Sequence, residues 1–385
     1  MKQRKSPCWA EVDLDNLRFN INEIKKLLKK DTKLCCVLKA DAYGHGAVEL
    51  AKALEKENVD YFAVARIEEG FELRRGGVTA PILVLASTCP FKVEEAIEQD
   101  ITMTVDSLEM AKDIDCKAKA LGEEAKIHIK IDTGMNRIGF KSNEESIKEI
   151  LEINKFKNLD IEGIFTHFAT ADEGDKHPSE KQIANYRYIT DELEKQGMTF
   201  RIKHVSNSAA VIDLPDLNLN MVRPGIIQYG HYPSDEVLSD RLELKPLMKL
   251  KSTVTNVKTI EKGARISYGL TYVADSEQRI ATIAIGYGDG YTRLQKNPKV
   301  FIKGKMYDVV GRICMDQCMV KLDCDSEVNI GDEVVIFGEG EATVERIAKD
   351  LGTINYEVLC MVSRRVDRVY MENNKIAKVK SYLLE

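Results

Sequence analysis

A lysine between an apolar run and a glycine-rich turn is the residue best suited to covalent chemistry in this sequence. Residues 34–38 read Leu-Cys-Cys-Val-Leu, and Lys39 follows directly, ahead of Tyr43 and two glycines. A lysine amine at the end of a buried strand can bind an aldehyde covalently, and a turn that leads into a helix can hold an anion. Most lysines in such positions only reach solvent, so the prediction depends on the groups that the fold places nearby.

The elements that position this lysine alternate between strands and helices. Apolar runs typical of strands occupy residues 34–38, 61–65, 82–86, 101–105, 126–131, 161–167, 201–205 and 219–223. Helical spacing follows most of them, at residues 47–57, 68–75, 91–99, 107–121, 144–154 and 179–197, and an earlier helix spans residues 13–28 with Asp13 as its N-cap. About eight such units predict a (β/α)8 barrel of the TIM type. An open doubly wound sheet is the alternative, but Gly44-His-Gly46 does not supply its G-x-G-x-x-G signature.

A second, mostly β domain is predicted after residue 243, where short alternating runs replace the helical periods. Strands are expected at residues 247–257, 280–285, 300–302, 309–315 and 334–337, and one helix at residues 343–351. The predicted fold class is therefore α/β, with a (β/α)8 barrel over residues 1–243 and a β-rich domain over residues 244–385.

Composition excludes several classes of function. The net charge of -6 and the lack of a polybasic tract argue against a nucleic-acid partner. No run approaches the ~18 apolar residues of a membrane span, and the basic stretch of residues 1–9 lacks the apolar segment of a signal peptide. The nine cysteines are an odd number and predict free thiols in a reducing cytoplasm. Cys314, Cys318 and Cys324 match no zinc spacing, so no metal is expected.

Polar residues recur at the carboxyl ends of the predicted strands, where barrel enzymes place their reactive groups. Strand one ends at Lys39, strand five leads to Arg137, strand six ends at His167, strand seven carries His204 and leads to Asn207 and Ser208, and strand eight ends at Arg223 and Gly225. Closure of the barrel would place strand eight beside strand one. Lys39 and Arg223 would then share a rim with a phosphate-binding turn, which points to pyridoxal phosphate as the cofactor.

Several motifs resemble those of the alanine racemases, in the same order and across both predicted domains. The resemblance is carried by Val-Leu-Lys39-Ala-Asp-Ala-Tyr43-Gly-His-Gly, Lys130-Ile-Asp-Thr-Gly-Met-Asn-Arg137, Thr-His167-Phe-Ala, Ser-Asn207-Ser208-Ala-Ala, Val-Arg223-Pro-Gly-Ile226, Ser-Tyr268-Gly, Gly-Tyr287-Gly-Asp-Gly, Cys314-Met315-Asp316 and Asn-Tyr356-Glu-Val.

This resemblance implies a cytoplasmic homodimer with two shared active sites and an activity that supplies D-alanine for peptidoglycan. Lys39 would hold pyridoxal 5'-phosphate and act as one base, and Tyr268 of the partner subunit would act as the other. The remaining cofactor contacts would come from Tyr43, His167, Asn207, Ser208, Arg223, Gly225, Ile226 and Tyr356, with His204 supporting Arg223. The substrate carboxylate would be received by Arg137 and by the backbone at Met315 of the partner subunit, so that only Met315 would come from the partner. Lys130 resembles a position that can be carbamylated, and its new anion would pair with Arg137.

The chemistry makes these roles intelligible. Racemisation removes a proton from one face of the α-carbon and returns it to the other, so two bases on opposite faces are needed. A tyrosine has an ordinary pKa of ~10 and needs nearby cations to ionise at neutral pH; His167 and Arg223 are the candidates. Arg223 is a permanent donor, so the ring nitrogen that it faces would carry no proton.

Three other functions remain open from the residues alone. Tyr268, Tyr287 and Tyr356 should narrow the entrance and favour a small side chain, and the resemblance links Tyr356 to alanine. A serine or broad-spectrum racemase is nevertheless possible, because pocket size discriminates a hydroxyl poorly. A decarboxylase shares the predicted architecture. A non-catalytic carrier of the cofactor would need no second base and no second domain.

Overall fold

The computed structural model describes residues 6–384. Residues 1–5, which belong to the basic stretch tested above as a signal peptide, and residue 385 lie outside the described part. The chain forms two compact units, one of residues 17–42 and 47–245, the other of residues 6–16, 43–46 and 246–384. The division at residues 243 and 244 stays a prediction.

The described chain begins with strand β1 (Cys8–Asp13), followed by helix α1 (Leu14–Lys26). Asp13 was predicted to cap this helix, and its Oδ1 accepts hydrogen bonds from the backbone N–H groups of Asp15 and Asn16 at 2.9 and 3.0 Å. The prediction of an N-cap is therefore confirmed. The strand β1 was not predicted, although four of its six residues are apolar and buried.

Eight parallel strands form the first unit, and the prediction of a TIM-type barrel with a separate β-rich part is confirmed. They are β2 (Lys33–Val37), β3 (Tyr61–Val64), β4 (Ile82–Val84), β5 (Ile101–Val105), β6 (Ala125–Asp132), β8 (Leu159–Phe165), β9 (Ile202–His204) and β10 (Met221–Val222), with the short β7 (Phe140–Lys141) beside β6. Their order is β10-β2-β3-β4-β5-β6-β8-β9. Strands β3, β4 and β5 are buried along their whole length, as expected where helices cover a parallel sheet.

Backbone contacts close the barrel between its last two strands. The N–H of Asn220 donates to the carbonyl of Lys203 at 3.0 Å, and the N–H of Arg223 donates to that of Ser206 at 3.0 Å. On the other side of β10, Met221 and Val222 pair with the start of β2. Arg223 therefore follows a strand that lies directly beside the one leading to Lys39, as the sequence predicted.

Helices cover the outside of the strands. They are α2 (Ala47–Lys56), α3 (Ile67–Arg75), α4 (Val93–Glu98), α5 (Leu108–Leu121), α6 (Glu144–Ile153), α7 (His177–Lys195) and α8 (Ser208–Asp213). Ser107 caps α5 and Asn143 caps α6, each accepting a backbone N–H on its side chain. All the helices predicted for this unit are present, with ends displaced by at most a few residues.

The strands of the second unit after β1 are β11 (Met248–Ile260), β12 (Arg265–Ile266), β13 (Tyr272–Val273), β14 (Gln278–Ile283), β15 (Lys299–Ile302), β16 (Lys305–Asp308), β17 (Cys318–Leu322), β18 (Glu333–Phe337), β19 (Asp367–Glu372) and β20 (Lys375–Lys380). Most of them form one mixed sheet with the order β16-β15-β18-β11-β1-β19-β20, which β14 and β17 join. Within residues 6–384, strands β12 and β13 pair only with each other. Two helices, α9 (Val344–Leu351) and α10 (Asn355–Cys360), complete the unit.

One strand predicted for the second unit was wrong. Residues 309–315 form a loop with a single bridge from Val309 to Val320. Gly311 has a φ of 71°, and a Cβ there would come within 2.9 Å of the Ile266 carbonyl oxygen. The backbone therefore turns away from an extended path, although the apolar residues around it resemble a strand. Helix α10 and the hairpin of β19 and β20 were not predicted.

Burial of the thiols follows the sequence prediction for the barrel. Cys35 and Cys36 are fully buried in β2. All nine cysteines fall within residues 6–384 and are free thiols there. Within the same residues, no helix has the length and apolar character needed to cross a membrane.

A buried arginine fixes the glycine-rich turn within the second unit. The Arg368 guanidinium is fully buried and donates to the carbonyl oxygens of Gly44, Val362, Ser363 and Val366. A buried guanidinium whose donors all find partners holds several chain segments in one geometry, and its removal leaves those carbonyls without a partner.

We expect Arg368→Met to lower the free energy of unfolding by roughly 3 kcal/mol, since several buried hydrogen bonds to one charged group are lost at once. Urea unfolding at fixed protein concentration measures the change. The control is Arg364→Met, which removes an exposed guanidinium. Like that of Arg368, this guanidinium lies over the Tyr382 ring. Equal stability losses in the two variants would show that Arg368 does not act through these buried contacts.

Candidate active site

Lys39 stands at the start of an unusual backbone turn after β2. The following residues Ala40, Asp41 and Ala42 have φ values of 53°, 54° and 52°, in the left-handed region that non-glycine residues rarely occupy. A left-handed helical residue costs roughly 1–2 kcal/mol. Four in succession, since Tyr43 has a φ of 51° as well, indicate that the surrounding structure determines the path of the chain beside the lysine.

Hydrogen bonds within the barrel unit hold this turn. The Glu69 carboxylate accepts the N–H of Ala40 at 2.6 Å, and the Asp41 carboxylate accepts the N–H of Ala47 at 2.9 Å. The N–H of Ala42 donates to the Leu38 carbonyl at 2.8 Å. The strained backbone is therefore held from both sides, and Lys39 itself is half-buried.

Arg223 is buried beside the end of β9. Its Nη1 donates to Nδ1 of His204 at 2.7 Å, and its Nη2 donates to the Thr166 carbonyl at 2.7 Å and to the Val205 carbonyl at 3.1 Å. The same nitrogen lies 3.4 Å from Nδ1 of His167. The structure thus brings together three of the predicted residues, and it confirms the contact of His204 with Arg223.

His167 differs from its predicted electrostatic role. Burial, reinforced by the charges of Arg223, Arg137, Lys130 and Lys39, holds the pKa of His167 well below its ordinary value. The imidazole is therefore neutral at pH 7, and the hypothesis that it acts as a cation was wrong. Arg223 remains as the permanent charge of this pair.

Lys130 lies inside the barrel on β6. It is almost fully buried, and its Nζ donates to the Ile131 carbonyl at 2.8 Å. Burial, together with the charges of Arg223 and Arg137, lowers the pKa of Lys130 to about 8. About a tenth of this amine is therefore unprotonated at pH 7, far more than for an ordinary surface lysine with a pKa of ~10.4.

A small polar cradle lies at the ends of β9 and β10. Ser208 is buried at the first position of α8, and its Oγ accepts the N–H of Gly225 at 2.8 Å. The preceding Asn207 caps α8 by accepting the N–H of Ala210 at 3.1 Å. A 3-10 turn begins at Ile226. Hydroxyl and backbone N–H donors so arranged suit a phosphate group.

Arg137 lies in a loop that follows β6. The Asp132 carboxylate accepts the N–H groups of Gly134 and Asn136, both at 3.0 Å, and so fixes the loop. The Arg137 side chain is exposed, and its charge contributes to lowering the pKa of both His167 and Lys130. An exposed guanidinium on a fixed loop can receive a carboxylate.

In the second unit, the tyrosines Tyr43 and Tyr356 meet. Their ring centroids lie 5.8 Å apart at an interplanar angle of 45°. Burial, with the Tyr356 and Cys360 side chains nearby, raises the pKa of the Tyr43 phenol. The neighbouring Gly44 has a φ of 80° and would place a Cβ 2.6 Å from the Leu359 carbonyl oxygen, so only glycine fits this position.

Two loops of the second unit present Tyr268 and Met315. The Ser267 hydroxyl donates to the Arg312 carbonyl at 2.6 Å and so ties these loops together. Tyr268 is 67% exposed and Met315 is 51% exposed. The carbonyl of Met315 accepts the N–H of Gly288 at 2.9 Å. An exposed phenol and an exposed apolar side chain on neighbouring loops are available to a second molecule.

Sequence reasoning located most of this site but missed the groups that support it. Glu69 holds the turn after Lys39, and Arg368 holds the glycine-rich turn of the second unit, each from a position remote in sequence. Glu162 and Tyr61 lie deeper in the barrel. A signal existed for Glu162, since it is a carboxylate among apolar residues of a predicted barrel strand, between Ile161 and Ile164. No pattern marked the other three.

Fold and site together define a class of protein: a parallel barrel with a lysine, a phosphate cradle and a buried arginine at the carboxyl ends of its strands, joined to a β-rich unit. Comparison with known proteins narrows this class. Residues 12–233 match the family model described as alanine racemase, N-terminal domain, and residues 247–370 match the one described as alanine racemase, C-terminal domain. The chain belongs to the alanine racemase family, and it is an enzyme of the isomerase class.

Individual relatives agree over nearly full length. The alanine racemase of Clostridium tetani is 47% identical, over 98% of this chain and 98% of its own. The structure of the alanine racemase of Clostridium difficile 630 is 62% identical with a TM-score of 0.98, covering 99% of this chain and 100% of that chain. That of Bacillus anthracis, with bound L-Ala-P, is 36% identical with a TM-score of 0.94, covering 99% of each chain.

Proposed function

We propose that this protein interconverts L-alanine and D-alanine with pyridoxal 5'-phosphate as cofactor, in a cytoplasmic homodimer whose active sites are shared. The observation that carries the proposal is the grouping of His167, His204 and Arg223 at the strand ends around a strained turn that begins at Lys39. The names of the relatives support alanine as the substrate.

The donor set of the barrel unit fits the proposed cofactor. Lys39 offers the amine for its aldehyde, Ser208 with the N–H groups at Gly225 and Ile226 suits its phosphate, and Arg223 offers a donor to its ring nitrogen. When bound, the cofactor withdraws electrons from the α-carbon and so acidifies its proton. Asn207 contributes by capping α8, and Tyr43 and Tyr356 add phenols that can donate to the phosphate.

Arg223 decides how strongly electrons are withdrawn. A guanidinium keeps its protons, so it donates a hydrogen bond to the ring nitrogen without transferring a proton. The charge that develops on the substrate then stays close to the α-carbon, which favours return of a proton there. A carboxylate in place of Arg223 would instead favour diversion of the substrate to transamination.

Two groups would move the proton. The amine of Lys39 would serve one face of the α-carbon, and Tyr268 of the partner subunit would serve the other. Because His167 is neutral, we propose that Arg223 is the cation that lowers the free-energy cost of ionising the phenol of Tyr268 of the partner subunit. The substrate carboxylate would be received by Arg137 and by the backbone at Met315 of the partner subunit.

Assembly of two copies is supported by exposed apolar side chains of the second unit. They are Tyr268, Leu270, Tyr287, Met315 and Ile354, each at least 40% exposed. Hydrogen bonds from Ser267 to Arg312 and from Gly288 to Met315 connect the loops that carry four of them, and adjoining apolar groups of this kind are typical of a protein–protein interface. Burying them against a second copy would supply Tyr268 to a site in the other chain.

We propose that Lys130 can be carbamylated, a reaction that its lowered pKa would favour. Only the unprotonated amine reacts with CO2, so at a fixed CO2 concentration we expect the carbamate to increase as the pH rises through about 8. The negative charge of the carbamate would pair with the Arg137 guanidinium. Carbon-13 NMR with labelled CO2 measures it. Lys130→Arg should lose the signal, whereas Lys141→Arg, on the adjacent β7 and exposed, should keep it. A signal that persists without Lys130 would assign the carbamate elsewhere.

The direct test of the function is circular dichroism of L-alanine and, separately, L-serine incubated with the protein and pyridoxal 5'-phosphate. Loss of signal much faster with L-alanine is expected. Comparable rates would indicate a serine or broad-spectrum racemase. An unchanged signal would refute racemisation; release of CO2 from another amino acid would then identify a decarboxylase, while bound cofactor without turnover would identify a carrier. Loss of signal with release of CO2 from L-alanine would also identify a decarboxylase. Growth of a strain from which the gene for this protein has been deleted tests whether the protein supplies D-alanine for peptidoglycan. We expect that strain to require added D-alanine.

A further inference from the structure

A chain of hydrogen bonds leads from Arg223 into the interior of the barrel. Arg223 donates to Nδ1 of His204 at 2.7 Å, and Nε2 of His204 lies 2.9 Å from Nδ1 of His128. Nε2 of His128 lies 3.1 Å from Oε2 of Glu162, and the Tyr61 hydroxyl donates to the same oxygen. The chain therefore connects the strand ends with the first residue of β3.

The direction of every proton in this chain follows from its first member. A guanidinium has only donors, so Nδ1 of His204 must accept and its proton lies on Nε2. That proton is donated to Nδ1 of His128, which places the proton of His128 on Nε2 as well. Glu162 receives it as a carboxylate, which has only acceptors when ionised. All the bonds thus point toward Glu162.

The charges agree with this assignment. Burial lowers the pKa of His128, and burial with the charge of Arg223 lowers that of His204, so both imidazoles are neutral. For Glu162 burial acts in the opposite direction, but the hydrogen bonds from His128 and Tyr61 outweigh it and lower its pKa to about 2. The other charged groups around these residues are Lys130 and Arg201.

The fold contains two local features that make room for this chain. Ile127 pairs with Ile161 and His128 pairs with Gly163, so Glu162 is the extra residue of a bulge between parallel strands. Such bulges are rare and re-aim side chains. At Gly163 a Cβ would lie 2.7 Å from the His128 ring, so glycine is needed for the imidazole to fit.

Among the residues that the structure describes, Glu162 is the only negatively charged group in the series of hydrogen bonds that begins at Arg223. Within residues 6–384 the hydrogen bonds of Arg223 go to His204, His167 and the carbonyls of Thr166 and Val205, none of which is negatively charged. A carboxylate that accepts from an imidazole makes the other ring nitrogen a better acceptor, and hydrogen bonds in series strengthen one another.

We propose that Glu162 is a positioning residue for Arg223: acting through His128 and His204, its carboxylate tightens the hydrogen bond that orients the guanidinium. The inference rests on the proposed function in giving Arg223 a role toward the cofactor, but the chain of hydrogen bonds belongs to the protein alone. Glu162 touches neither substrate nor cofactor, and its effect on the reaction is indirect.

Nitrogen-15 histidine NMR on the cofactor-free protein tests the chain, with His128→Gln and His204→Gln used to assign the signals. We expect neutral rings protonated at Nε2 for both residues at neutral pH. Glu162→Gln keeps the shape and an acceptor oxygen but removes the charge, so it should shift both imidazole N–H signals upfield. A ring protonated at Nδ1, a doubly protonated ring, or a His204 signal that Glu162→Gln leaves in place would overturn the proposal.

Two further variants separate this effect from general disturbance. Asp160→Asn makes the same chemical change two residues away on β8, where the partner is the exposed Arg201 at 2.6 Å, and it should move neither signal. Tyr61→Phe removes a competing donor to Glu162, so both signals should move downfield, opposite to Glu162→Gln. Shifts of the same sign in Tyr61→Phe and Glu162→Gln would contradict transmission through the carboxylate.

Kinetics of the enzyme loaded with pyridoxal 5'-phosphate test the consequence. We expect Glu162→Gln to lower kcat about tenfold and to change KM little, because Arg137 rather than Arg223 is proposed to bind the substrate. Asp160→Asn should match the wild type. An unchanged kcat would refute the positioning role. Absence of racemisation in the wild type would instead refute the proposed function and leave the NMR result standing.

Discussion

Lys39→Ala should abolish racemisation, with kcat falling on the order of 10^4-fold or more. The substitution removes the amine that would anchor the cofactor and also one of the two proposed bases, so two roles are lost together. Circular dichroism of L-alanine measures the rate, and absorbance after gel filtration measures the cofactor that remains bound.

The matched control is Lys33→Ala, which removes a lysine from the first position of β2. Its Nζ lies 3.8 Å from Asp60, and the side chain is largely exposed. Exposed ion pairs of this kind contribute little, so activity should stay close to that of the wild type. If Lys39→Ala retained more than about 1% of wild-type kcat, a loss smaller than removal of a central catalytic group produces, Lys39 would be neither base nor anchor.

Tyr268→Phe should have the second largest effect, a fall in kcat/KM of roughly 10^3-fold. The two enantiomers have equal free energy, so the loss in kcat/KM must be equal in both directions and cannot by itself identify the missing base. The informative measurement is exchange of the α-hydrogen with solvent deuterium. Because Lys39 remains and serves only one face of the α-carbon, the variant should exchange the α-hydrogen of one enantiomer without inverting it, and should leave that of the other enantiomer unexchanged.

Tyr272→Phe is the control for this experiment. Its hydroxyl donates to Gln278 at 2.7 Å within the same unit, and the ring packs against a small apolar cluster. Both enantiomers should exchange and racemise at near wild-type rates in that variant. Exchange of both enantiomers by Tyr268→Phe would instead mean that one base serves both faces, and the two-base mechanism would fail.

Much of the barrel could be predicted because its determinants are local. Each strand is a short apolar run and each helix repeats at its own period, and both periods are visible along the chain. Lys39, His167 and Arg223 could be assigned to one end of the barrel because parallel strands bring their carboxyl ends together. The contact of Arg223 with His204 at 2.7 Å agrees with that reasoning.

Where prediction failed, a distant residue determined the local conformation. The apolar residues 309–315 resemble a strand, but close packing of Gly311 against Ile266 bends the chain. The four left-handed residues after Lys39 depend on Glu69 and on other hydrogen bonds that no sequence period reveals. The neutral state of His167 results from burial beside positive charges.

The sequence by itself determined the order of elements in the barrel, the candidate reactive side chains and the end of the barrel at which they lie, because these depend on residue types and on periods along the chain. Only the tertiary structure decided the protonation of His167 and Lys130 and the path of hydrogen bonds from Arg223 to Glu162. Charges and hydrogen bonds act through distances of a few ångströms between residues far apart in sequence, and folding alone sets those distances.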